Sequence, residues 1–304
     1  MPLLLAVAVV GYLAGLHRVT THSAQAPATG AHIASGVNVL IEYPGGWEQA
    51  SASVGLPALE LGARRLNLVP REHSDDAGLL SGVLQIAPSR PLPARLLAAQ
   101  PHVPRTEVVN LVSVQAFRYR HLIVPGYRGL VDLYVVPTPD YGATALACYA
   151  SPGMEAELAR CEQIVSSITL VGQSTSVLTP DVEYARKLSA LLDTLDGERS
   201  HLRLQLSRGT AASTVSSAAA SLAGRFSATS TSLATLEPPA VVGPAQVRLA
   251  HSLLAAGQAY RVLAAAAKVE SLRGYETARA QVQTAESGVD SALVGFSLLG
   301  YSHP

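Results

Sequence analysis

The stretch ACYASPGMEAELARCEQIVSSI, Ala147 to Ile168, decides the fold of the first half of the chain. It holds both cysteines of the 304-residue sequence, Cys148 and Cys161. Up to Tyr149 the residues alternate as a strand does, with Leu146 and Cys148 on one face. Ser151-Pro152-Gly153 is a turn signal. Beyond it Leu158, Cys161, Val165 and Ile168 recur at spacings of three and four residues, the stripe of a helix. A helix that follows its strand through a tight turn folds back over it, and both thiols then lie on inward faces at similar heights. A zinc site needs four ligands with paired spacings, and a thioredoxin-type pair needs CxxC; neither pattern is present. A structural disulfide is the favoured reading, with two buried free thiols as the alternative. A disulfide implies an oxidising compartment.

The N-terminus points the same way. Leu3 to Leu16 is an unbroken apolar run, about 21 Å long as a helix. That is short of a bilayer core of about 30 Å but suits the apolar region of an export signal. Ala24-Gln25-Ala26 supplies a small-x-small cleavage pattern, although no Lys or Arg precedes the run and Pro27 follows the cleavage position. Residues 1–26 are therefore read as a signal peptide or short signal anchor, and 27–36 as a linker. The expected location is extracytoplasmic, secreted or anchored to the cell membrane.

Working outward from the opening stretch, residues 37–172 mix short strands with short helices. VNVLIEYPGGWE is a strand that runs into a turn, with the single tryptophan, Trp47, placed to seal a core edge. GLLSGVLQIAP reads as a strand and PLPARLLAAQP as a short helix bounded by prolines. TEVVNLVSVQAFRYRHLIV reads as one longer strand with a bulge or break in the middle. GLVDLYVV and ATALACY form a hairpin around PTPDYG. Strands in antiparallel succession with helices on one side make an α+β domain.

After a linker at 173–179, residues 180–304 are helical throughout. Thr179-Pro180-Asp181 starts the first helix, with the threonine hydroxyl as cap and the carboxylate at the positive dipole end. Four stripes follow, carried by Tyr184 to Leu202, Val215 to Leu236, Leu249 to Ala267 and Tyr275 to Leu299, with Gly209, Pro238-Pro239 and Ser271 at the breaks. Large residues alternate with alanine, which permits close approach, and short connections favour an antiparallel four-helix bundle.

The order YPGGWE, central helix, long strand, hairpin ending in Cys148, and helix carrying Cys161 resembles the PsbP-like fold. That fold occurs in actinobacterial extracytoplasmic envelope proteins and in lumenal extrinsic subunits of photosystem II. The resemblance covers residues 37–172 and rests on turn and packing elements. It implies a binding or accessory protein without a common catalytic set, and it carries over no functional residue.

Composition excludes several functions. Lys+Arg and Asp+Glu stand at 22 each, so no basic excess is available to displace counterions, and nucleic acid is not an expected partner. No nucleophile elbow, HExxH, P-loop or dinucleotide fingerprint occurs, and no cofactor is expected. His73, Asp75 and Asp76 in REHSDDAG are weak candidates for a cation site, against the simpler reading of a solvated loop. Arg118 and Arg120 share one strand face in FRYRHL and are candidate ligands for an anion, against a solvent-facing strand side. The leading expectation is a non-enzymatic protein that binds an envelope protein or a small amphiphile, with membrane association possible through the N-terminal segment. An accessory subunit of a membrane complex working through the bundle is the alternative, and an envelope-directed hydrolase the second. An apolar pocket in the α+β part would favour the first, and an exposed apolar patch on the bundle the accessory subunit.

Overall fold

A computed structural model of the protein describes residues 31–301, apart from 52–55, 88, 139–141, 174–175 and 210. The apolar run at Leu3–Leu16 and the Ala24-Gln25-Ala26 pattern lie outside the described residues. Ten strands and six helices are described. The strands are β1 (His32–Gly36), β2 (Val39–Tyr43), β3 (Trp47–Gln49), β4 (Leu66–Pro70), β5 (Ala77–Gln85), β6 (Glu107–Asn110), β7 (Gln115–Leu122), β8 (Leu130–Thr138), β9 (Gly142–Ala150) and β10 (Thr169–Leu170). The helices are α1 (Ala94–Ala98), α2 (Glu155–Ser166), α3 (Val182–Arg208), α4 (Ala212–Ala234), α5 (Gly243–Lys268) and α6 (Leu272–Ser297).

Seven strands form one antiparallel sheet in the order β3-β4-β5-β9-β8-β7-β6, and β1-β2-β10 form a smaller one. With its helices this is an α+β fold. The central strands β5, β8 and β9 are buried along nearly their whole length. A strand covered on both faces carries apolar residues at successive positions, as at 133–136 of β8 and 145–150 of β9.

One face of the large sheet presents Leu68, Leu79, Tyr134, Leu146 and Cys148 to α2, whose Leu158, Cys161, Ile164 and Val165 pack on it together with Val39 and Ile41 of the small sheet. Trp47 is buried in the same layer, as its position beside the Pro-Gly-Gly turn suggests. The other face presents Leu80, Leu84, Phe117, Tyr119, Leu133 and Val135. It is covered by Leu92 and Leu96 around α1, by a 3-10 turn at Pro57–Leu59, and by Leu298, Leu299 and Tyr301 just beyond α6. That cluster runs without interruption into the core of the helices, through Phe296, Tyr260, Leu253 and Leu222.

The helices pack in chain order, α3 on α4, α4 on α5 and α5 on α6. Ser216 near the start of α4 bonds the carbonyl of Ala264 near the end of α5, while Ser230 near the end of α4 bonds that of Ala250 near the start of α5, so this pair is antiparallel. The predicted stripes are inside: Leu188, Leu195, Leu222, Phe226, Leu253, Tyr260, Val289 and Phe296 are all buried. The sheet and the bundle meet through specific bonds. Tyr119 Oη donates to the Leu298 carbonyl at 2.6 Å, and Thr106 Oγ1 to that of Ser297 at 3.1 Å. Gly295 is needed at this seam, since a Cβ there would lie 2.8 Å from the Ser89 carbonyl oxygen.

Three local readings are corrected. Residues 32–36, read as linker, form β1, which turns through Asn38 (φ 62°) into β2. The long strand over TEVVNLVSVQAFRYRHLIV is a hairpin: β6 and β7 pair antiparallel, with Asn110 opposite Gln115, so the break is a reversal of direction. The cap of α3 is Asp181, whose carboxylate accepts from the Tyr184 amide at 2.7 Å, and not Thr179.

Candidate functional site

Cys148 ends an inward-facing run of β9 and Cys161 sits on the buried stripe of α2; they form a disulfide with their Cα atoms 5.8 Å apart. Both are buried, so the bond ties the helix to the sheet inside the first layer and offers no accessible thiol. The helix start is prepared for it. The Glu155 carboxylate accepts from the Gly153 amide at 3.0 Å, and that bond holds it below the usual carboxylate range.

Arg118 and Arg120 lie together on β7, as the period of two requires, and the fold brings two carboxylates to them. Arg118 donates to Glu107 of β6 at 2.5 Å and to Glu162 of α2, and its guanidinium is largely covered. Hydrogen bonding to Glu107 and the Glu162 charge raise its pKa despite burial. Arg120 lies 3.6 Å from the same Glu107 oxygen and 3.9 Å from Glu162, and is more exposed. The cluster thus balances two cations with two carboxylates. Its evident work is to fix the outer hairpin to α2, a bidentate use for which arginine is suited. Glu107 was missed from sequence because the β6–β7 reversal that sets it opposite Arg118 read as one strand, and Glu162 because it lies 44 residues away. The strand departs from regular register just beyond: His121 adopts φ 52°, and its amide donates to the Asp132 carboxylate at 2.7 Å.

His73, Asp75 and Asp76 occupy the turn between β4 and β5. Main-chain bonds build it, with Asp76 and Ala77 amides both donating to the His73 carbonyl, at 3.1 and 3.2 Å. Both carboxylates are exposed. Among the described residues no group of three or more His, Cys, Asp or Glu side chains is placed to hold a metal ion. Nor does the ring of His73 or His121 hydrogen-bond a serine or a carboxylate there, the arrangement on which a hydrolase reading depends.

Two prominent concavities are lined by polar groups. One lies against the β1–β2 turn, between Ser35, Asn38, Arg64 and Arg65; the other lies between α3 and α4, between Gln205, Ser213, Thr214 and Ser217. Neither is an apolar pocket.

A second buried ionic group lies inside the bundle. Glu286 of α6 is 6% exposed. It accepts from Tyr260 of α5 at 2.8 Å, from Arg203 of α3, and has Arg199 of α3 at 3.4 Å. About 20 Å away along the bundle, Gln246 of α5 accepts from Tyr184 at 2.7 Å and donates to the carbonyls of Leu233 and Leu236 at 3.0 Å. Both groups bond across helices and so fix which helices meet.

No helix among the described residues is long and apolar enough to cross a membrane. Comparison with protein-family models returns no match, and no curated protein matches the chain. Among solved structures, the solution structure of cyanobacterial PsbP (CyanoP) from Synechocystis sp. PCC 6803 matches at 13% identity, covering 48% of this chain and 95% of that one, with a TM-score of 0.29. That protein is of the family that residues 37–172 resemble in sequence order, while the fold described above stands on its own strand order and registers.

Proposed function

We propose that the protein is a non-enzymatic, extracytoplasmic accessory protein that works by docking its outer surface to a partner, not by enclosing a ligand. One observation carries this reading: both faces of the seven-stranded sheet are filled from within the chain, one by α2 and the small sheet, the other by α1 and the residues after α6. An amphiphile-binding protein of this size keeps an apolar cavity open, and here the layer where it would lie is packed. The buried disulfide supports an oxidising compartment. The arginine pair that would serve as an anion site is matched by two carboxylates.

Native mass spectrometry of the full chain, recovered from its own envelope and alkylated before and after reduction, tests the reading. The expected result is the mass of the polypeptide alone, alkylated at two thiols only after reduction. A stoichiometric extra mass that survives desalting would reveal an enclosed ligand and overturn the docking reading. Free alkylation of the unreduced chain would overturn the compartment.

A further inference from the structure

Helix α5 is 26 residues long, about 39 Å. From Gly243 to Lys268 it contains no Asp or Glu, and between Glu198 and Glu270 the sole carboxylate is Glu237. In a chain whose charges balance at 22 each, α4 and α5 themselves therefore carry cations and no carboxylate. Its buried stripe, Leu249, Leu253, Ala256, Tyr260 and Leu263, faces α4 and α6. The opposite face is exposed and mixed: His251, Gln258, Arg248, Arg261 and Lys268 share it with Val247, Leu254, Val262 and Ala265. At about 100° per residue, Val247, Leu254, Val262 and Ala265 fall on one outward strip, with Gln258 and His251 inside it. Arg261 and Lys268 run along one flank of it and Arg248 along the other. Val269 and Leu272 continue it across the turn into α6, with the exposed Glu270 between them. Exposure along this line runs from 40% at Leu254 to 75% at Leu272. None of Arg248, Arg261 or Lys268 has an ion-pair partner among the described residues; Arg261 reaches only the Ser227 hydroxyl, at 3.3 Å.

We infer that the outer face of α5 is the protein's docking surface, and that its occupant is an anionic lipid bilayer. Exposed valine and leucine side chains among unpaired cations, on a long helix that carries no carboxylate, suit a surface resting on a membrane interface, with the apolar chains reaching the acyl boundary and the cations at the headgroups. Charge complementarity selects the partner: a neutral surface gains nothing from the flanking cations, whereas an anionic one attracts each of them. A second copy of the same helix would set these cations against one another. The inference rests on the surface-docking reading above and names its surface and partner.

The test uses the full chain with a polarity-sensitive NBD label at Leu254→Cys or Val262→Cys, and at Ser200→Cys on the exposed side of α3 as the control. Vesicles of phosphatidylcholine are compared with vesicles containing phosphatidylglycerol. Labels at 254 and 262 are expected to brighten and shift to the blue only with the anionic vesicles, while the label at 200 stays aqueous. Arg261→Gln with Lys268→Gln weakens that response about 25-fold, taking about 5-fold per cation removed. Because each label reports its own position, attachment through the N-terminal segment does not mimic the result. Labels at 254 and 262 that remain aqueous on vesicle-bound protein would overturn the inference and leave docking to a different partner standing. A blue shift without vesicles that grows with protein concentration would assign the face to a second copy and overturn it as well. A retained ligand mass in the preceding experiment would instead defeat the docking reading itself.

Discussion

At the scale of single residues, the disulfide contributes through the unfolded chain. It closes a loop with a sequence separation of 13, and the entropic account gives about 3 kcal/mol for a loop of that size. The double substitution Cys148→Ala, Cys161→Ala is expected to lower the unfolding free energy by about that amount in urea titration, with the midpoint shifting and the slope changing little. Four tyrosines set a second residue-level limit. Burial pushes the phenols of Tyr119, Tyr134, Tyr149 and Tyr184 well above their ordinary range. The folded state then holds these protons more tightly than the unfolded state. The stability this represents is intact below pH of about 10, the unfolded value, and is lost as pH rises from there toward the folded values. Alkaline unfolding is thus expected to begin above pH of about 10, with the phenolate absorbance of these four rings appearing together with loss of near-ultraviolet circular dichroism. Phenolate absorbance amounting to all eleven tyrosines while the dichroism held would contradict the burial of these rings.

At the scale of elements, what was legible in the sequence followed from whether the deciding contact was local. The α2 stripe, the β8–β9 hairpin and the four bundle stripes are written in spacings of two, three and four residues, and each is found where its spacing puts it. The β6–β7 reversal was hidden because VNLVSVQA turns without Gly, Pro or an Asn-Gly pair, so its apolar residues read straight through. Strand β1 was hidden for the opposite reason. HIASG has one buried side chain, Ala34, and its strand character comes from pairing with β2. The ionic groups were the least legible. Arg118 was visible as a cation, but Glu162 lies 44 residues away, and Glu286 draws its partners from two other helices. Glu286 also supplies the prediction at this scale. Glu286→Gln removes the charge that Arg199 and Arg203 share and keeps the shape and the bond to Tyr260. Loss of one member of a buried pair costs about 3–5 kcal/mol, but Arg203 is 45% exposed and solvent screens it. A loss of about 1–3 kcal/mol in thermal or urea unfolding is expected. Raised hydrogen exchange confined to α3 and α6 would mark it as local to their seam.

At the scale of the whole molecule, the division near residues 173–179 separates two architectures and not two cores. Leu298, Leu299 and Tyr301 are almost fully buried, although they follow the last helix, because they are part of the cover over the second sheet face. Tyr301 also stacks edge-on against Tyr184 with ring centres 5.6 Å apart and accepts from the Asp181 amide at 2.9 Å, so the same residue fixes the start of the bundle. Burying two leucines and a tyrosine is worth about 1.5–3 kcal/mol for each large side chain, and the Tyr119 hydroxyl would lose its acceptor at Leu298. A chain ending at Ser297 is therefore expected to fold with the sheet face partly bare. It should bind the dye ANS, unfold at least about 4 kcal/mol more easily than the full chain, and lose protection from hydrogen exchange in β7 and β8 as well as in α3 and α6. A merely additive bundle on an independent sheet would behave otherwise: α3 and α6 would loosen while β7 and β8 exchanged as before. The paired measurement thus decides whether the helices are an appendage or the outer wall of the sheet, and the packing of Tyr119 against Leu298 argues for the wall.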